Sequence, residues 1–152
     1  MRVLRGYREI VLAALIIAAA PACAGSALPP YTIVGDAIPA SLTGAKGDPQ
    51  RGRIIVGTRS IGLCVMCHAA PLPEVPLQGN IGPDLKGTGG RWSEGQLRLR
   101  MVDASRLNPQ TIMPPYYRVD DLVDVSRNFR DKPILNAQQI EDVVAYLVTL
   151  RD

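Results

Sequence analysis

Cys64-Val65-Met66-Cys67-His68 is the stretch on which the reading of this chain turns. It has the form C-x-x-C-H. Two thiols at that spacing can each add to one vinyl group of the same porphyrin, and the histidine that follows is then held against the iron. Other uses of these residue types fit less well. A zinc site would want further Cys or His ligands, and the chain has only one histidine, His68, and one other cysteine, Cys23. A thioredoxin-like pair would sit at a strand-to-helix turn in a cytosolic setting. The pattern therefore predicts one covalently bound haem c (iron), attached through Cys64 and Cys67, with His68 as the first iron ligand.

The N-terminus predicts the compartment. Arg2, Arg5 and Arg8 make a basic start, Ile10 to Ala20 is an unbroken apolar run, and Pro21-Ala22-Cys23-Ala24 supplies small residues. A run of that length is too short to span a bilayer, which takes about 20 apolar residues. Residues 1–24 thus read as a secretory signal cleaved after Ala24, or alternatively after Ala22. Cys23 leaves with it in this reading; a lipoprotein reading would make Cys23 the acylated N-terminus. Export to a periplasm is expected, with no membrane span in the mature chain.

The signal segment carries three of the 17 basic residues and one of the 14 acidic ones, which leaves 14 and 13, a net +1. No Lys/Arg run or basic stripe survives, so nucleic acid is not an expected partner. About 128 residues make one small domain, for which a bound porphyrin would supply a large apolar body. Residues 25–47 are rich in Pro, Gly, Ala and Ser and read as an extended arm rather than core. The domain proper is then 48–152.

Start signals mark the helices. Asp48 is an N-cap with Pro49 at the first position. Ile54, Ile55, Thr58 and Ile61 follow at helical spacing, so this helix is expected to run into Gly62 and deliver Cys64 to His68. Gly52 inside it is costly unless something packs closely there. Residues 69–90, with prolines 71, 73, 76 and 83 and five glycines, are expected to be irregular. Trp92-Ser93-x-x-Gln96-Leu97 and Leu135-Asn136-x-x-Gln139-Ile140 each read as a capping box with a hydrophobic staple. The first opens a helix ending near Ala104. The second opens one whose apolar stripe is Ile140, Val143, Val144, Leu147 and Val148. No strand series is visible. The fold class is all-α, with long loops around one haem.

With His68 the only histidine, a second iron ligand from this chain would be Met, Lys, Tyr, an N-terminal amine or water. Thioether ligation is common in electron carriers and raises the potential. Met66 lies between the cysteines, and Met101 sits mid-helix among Leu97, Leu99 and Val102, where a core role is expected. Met113 lies in Asn108-Pro109-Gln110-Thr111-Ile112-Met113-Pro114-Pro115, which its prolines keep out of helix. That frame would preorganise the sulfur, so Met113 is the expected second ligand. A metal-bound histidine usually donates its other N–H to a fixed acceptor; the Pro83 carbonyl in Ile81-Gly82-Pro83-Asp84-Leu85 is the candidate. Arg91 and Trp92 are candidates for a haem propionate.

D-P-x-x-G in a first helix, C-x-x-C-H, G-P-x-L, a proline-flanked Met and a final amphipathic helix together resemble the class I cytochrome c family. In that family Gly52 would be where the last helix crosses the first, near Ala145-Tyr146-Leu147. A narrower resemblance covers roughly residues 38–150. It rests on Ile38-Pro39-Ala40-Ser41-Leu42-Thr43, the segments around the haem motif and Gly79 to Leu85, Arg98-Leu99-Arg100-Met101-Val102-Asp103 leading to Met113-Pro114, and Gln139 to Leu147. These are similar to the monohaem subunit family of the Sox thiosulfate-oxidising complexes.

That resemblance implies a heterodimer with a SoxA-type haem subunit, acting as an L-cysteine S-thiosulfotransferase that couples thiosulfate to a cysteine of a SoxYZ-type carrier. This chain would accept the electrons through a His/Met haem and pass them to a soluble cytochrome c. A six-coordinate iron leaves no open substrate position, so the chain alone would carry electrons and hold no substrate site. The alternatives are a free-standing periplasmic electron shuttle, a gas sensor in which Met113 is displaced, and a purely structural haem subunit. A partner interface should show as exposed apolar side chains, with residues 25–47 and 71–77 the candidates.

Overall fold

The computed structural model describes residues 28–151. The signal segment read at 1–24, Cys23 included, lies outside the described residues. Four α-helices are present among those described: α1 (Pro49–Gly57), α2 (Thr88–Arg91), α3 (Glu94–Asp103) and α4 (Ala137–Thr149). Beyond them, Val34 and Ala37 form an isolated β-bridge, and no strand is formed among the described residues. No helix among them is long and apolar enough to cross a membrane.

Each long helix begins where a side chain satisfies its free N–H groups. Asp48 accepts from the Gln50 and Arg51 amides at 2.8 and 3.3 Å. Ser93 with Gln96, and Asn136 with Gln139, close reciprocal capping boxes. α1 ends at Gly57, short of the expected Gly62. Thr58 leaves the helix with φ −95° and ψ 105°, while its hydroxyl donates back to the Ile54 carbonyl at 2.7 Å. The chain then turns through Leu63, whose φ is +59°. The buried face of α1 is accordingly Gly52, Ile55 and Val56, while Ile54 and Ile61 are exposed.

α1 and α4 cross with almost no gap. A Cβ at Gly52 would run into the Asp142 carbonyl oxygen and lie 2.9 Å from the Tyr146 Cβ. Packing therefore accounts for the glycine, and the crossing begins about one turn before the expected Ala145–Leu147. The Asp142 carboxylate completes the joint. It accepts from the Asp48 amide at 2.8 Å and from Arg51 Nε and Nη2 at 2.7 and 2.9 Å.

Two further expectations are corrected. Residues 88–90 belong to α2 and not to the preceding loop. Their Thr-Gly-Gly composition reads as turn, but the Thr88 hydroxyl donates to the Leu85 and Leu147 carbonyls, and that docking on α4 outweighs weak local propensity. The segment expected to lie outside the core also contributes to it, since Ile38 is fully buried and Leu42 nearly so. The fastening is an ion pair between α3 and α4. Arg98 and Glu141, each with a side chain 1% exposed, meet at 2.8 Å. Arg98 Nη1 donates to the Ile38 carbonyl at 2.7 Å, and the Leu42 amide donates to Glu141 at 2.8 Å. A buried pair repays its desolvation only when its remaining hydrogen-bonding capacity is used, and here residues 38–42 supply those partners.

Candidate haem-binding cleft

Between the 63–68 segment, the 81–85 turn, α3 and the 104–116 segment lies a cleft of about 610 Å³. That is within the range of cofactor sites, roughly 300–1,000 Å³. Cys64, Cys67, His68, Pro83 and Met113 all line it, so the five residues singled out from the sequence are brought together.

The C-x-x-C-H stretch folds as one tight turn. The Cys67 and His68 amides both donate to the Cys64 carbonyl, at 3.1 and 2.9 Å. Neither cysteine is in a disulfide, so both are available for thioether formation. Burial pushes the Cys64 thiol up to about 11, so at neutral pH it is protonated. The Gly82 amide donates to the Cys67 carbonyl at 2.8 Å, which docks the 81–85 turn against the motif. His68 Nδ1 then lies 2.6 Å from the Pro83 carbonyl oxygen. A carbonyl only accepts, so Nδ1 carries a proton, and Nε2 is the ring nitrogen not engaged by Pro83.

Met113 is half-buried, and its amide donates to the Thr111 hydroxyl at 3.2 Å. Asn108 starts this segment with an Asx turn, its side chain accepting from the Gln110 amide at 3.0 Å. Met66 and Met101 also reach the cleft. Met66 is an exposed rim residue, whereas Met101 is 4% exposed and fixed within α3.

Arg91 is not on the cleft wall. Its guanidinium donates to the Lys86 and Asp84 carbonyls at 2.7 and 2.8 Å, holding the loop before α2. Trp92 does line the cleft, and the cation beside it there is Arg100, whose guanidinium lies 4.4 Å from the Trp92 ring centroid. Burial lowers the Arg100 pKa, with Asp36 opposing. Arg100 and Tyr116 are cleft residues that the sequence reading did not pick out. Nothing local marks either, because each reaches the site through packing between distant segments. Among the expected partner-facing segments, Leu77 is 93% exposed and Leu72 buried, and the cleft rim adds exposed Met66, Ile81 and Ile112.

The lining fits a porphyrin. It is largely apolar, with two free thiols and an imidazole in one turn and a cation at its edge. A family profile described as Cytochrome c matches residues 50–151. Among solved structures, a chain of SoxXA from P. pantotrophus is similar to this one, with 46% sequence identity, a TM-score of 0.75, and coverage of 80% of this chain and 95% of that chain. A search of curated proteins finds no match. The cofactor is a covalently bound haem c, and the chain belongs to the cytochrome c family, among its SoxX-type members.

Proposed function

We propose that this chain is the electron-accepting monohaem subunit of a periplasmic SoxAX-type complex, an L-cysteine S-thiosulfotransferase that oxidatively couples thiosulfate to a carrier-protein cysteine. What carries the reading is the likeness to a SoxXA chain across 95% of that chain's length. The residues of the cleft support the assignment of roles. Cys64 and Cys67 anchor the haem through thioethers. His68 offers Nε2 to the iron while Pro83 holds Nδ1–H, which fixes the ring and its tautomer. Met113 supplies the second ligand from a segment whose prolines limit its movement. Haem c provides a one-electron redox centre when bound. The protein's part would be to hold that centre in an apolar cleft with His68 and Met113 as its ligands, so that electrons would pass and substrate would find no site.

In this reading residues 1–24 are a leader removed on export, a SoxA-type haem subunit is the permanent partner, a SoxYZ-type carrier holds the thiol substrate, and a soluble cytochrome c takes the electrons onward. The test is the native size of the haem-staining species from its own periplasm, followed spectrally as thiosulfate and the sulfur-carrier protein are added. A stable complex with a larger haem protein that is reduced on those additions is expected. A lone redox-active monomer indifferent to them would make the chain a free-standing electron shuttle instead.

A further inference from the structure

Tyr116 sits three residues beyond Met113 yet bonds to the other side of the cleft. It is 4% exposed. Its backbone is fastened at both ends, the amide donating to the Met101 carbonyl at 3.2 Å and its carbonyl accepting from the Leu135 amide at 3.1 Å. From that fixed base the ring crosses to the segment that carries the cysteines, where the hydroxyl donates to the Gly62 carbonyl oxygen at 2.7 Å. The Cys64 thiol points at the same oxygen, at 3.1 Å.

The peptide so held is a strained one. It leads into Leu63, whose φ of +59° is unfavourable for a residue with a Cβ. Such conformations persist where their surroundings over-determine them. This one starts the turn that aims Cys64, Cys67 and His68. When the Cys64 thiol adds to a vinyl group, its sulfur bonds to one carbon and its hydrogen goes to the other. The sulfur then has no proton to donate, and Gly62 is left with Tyr116 as its donor.

We propose that Tyr116 is a positioning residue, a clasp that ties the Met113 segment to the Cys64–His68 turn and so resists displacement of Met113 from the iron. The inference rests on the His68/Met113 reading above. In this proposal an added ligand that pushes Met113 aside pulls on its segment and opens the clasp. Removing the clasp beforehand therefore raises that ligand's apparent affinity by what the clasp contributes, on the order of tenfold for one buried hydrogen bond.

The test uses the full haem-loaded chain, with imidazole as the probe. Oxidised wild type should show the far-red sulfur-to-iron band, lost as imidazole binds. Tyr116→Phe should keep its haem content and the band but bind imidazole about tenfold more tightly. Tyr117→Phe, an equally buried neighbour, should bind it as wild type does. An unchanged affinity in Tyr116→Phe overturns the clasp and leaves the Met113 reading standing. Absence of the band in wild type overturns both. Should Tyr116→Phe fail to accumulate, proton NMR of wild type decides. A slowly exchanging Tyr116 hydroxyl proton that is lost on imidazole binding supports the clasp, and one that persists unchanged overturns it.

Discussion

His68 and Pro83 meet through the backbone: Nδ1 of the imidazole lies 2.6 Å from the proline carbonyl oxygen. The next residue upstream, Gly82, passes so close to the ring that a Cβ there would lie 2.5 Å from Cε1 and 2.6 Å from Nδ1. Gly82→Ala should therefore push the ring out of place at a cost of ~1–3 kcal/mol. The expected outcome is less haem per chain and a weakened low-spin spectrum, read by haem quantitation and absorbance. Pro83→Ala, which keeps the carbonyl, should do far less. Equal effects would mean that the proline's rigidity matters as much as ring clearance.

Met101 and Met113 both reach the cleft, and the two can be separated. Met113→Ala should abolish the far-red band of the oxidised protein and let the reduced protein bind carbon monoxide. Met101→Leu, nearly volume-conserving, should retain the band and cost less than ~1.5 kcal/mol. Loss of the band in Met101→Leu alone would move the ligand to α3.

Arg98 and Glu141 are each 1% exposed in their side chains. Glu141→Gln leaves a buried guanidinium without its main counter-charge, which costs about 3–5 kcal/mol. For a domain of this size that lowers the melting temperature by on the order of 10 °C. Arg98→Met with Glu141→Leu should recover most of the loss. A single-variant loss below ~1 kcal/mol would show that the pair adds little.

Asp142 is expected to contribute to the acid limb of stability. Burial pushes its pKa up, but Arg51, the Asp48 amide and Gln138 outweigh it and hold the carboxylate below its ordinary 3.8. The unfolded chain therefore binds this proton more readily than the folded one. The contribution is full above pH 3.8 and is lost as pH falls through the lower folded value. Asp142→Asn should destabilise the protein at pH 7 by about 1–3 kcal/mol. It should also flatten the stability profile below pH 3.8, measured by urea unfolding across pH. An unaltered acid slope would assign the limb to other carboxylates.

The sequence alone determined what depends on neighbours in the chain. Asp48, Ser93 with Gln96, and Asn136 with Gln139 could be read as caps because each bond spans only two or three residues. The C-x-x-C-H turn was legible for the same reason. Tertiary structure decided the rest. Ile38 enters the core and Thr88 begins a helix because each finds a partner far away in sequence. Arg98 and Arg100 show the limit most plainly. They have the same chemistry and stand two residues apart on α3, hence about 200° apart around its axis. One is sealed against Glu141 while the other faces the cleft beside Trp92. Composition cannot tell them apart, because which face of α3 meets α4 is settled only when the helices pack.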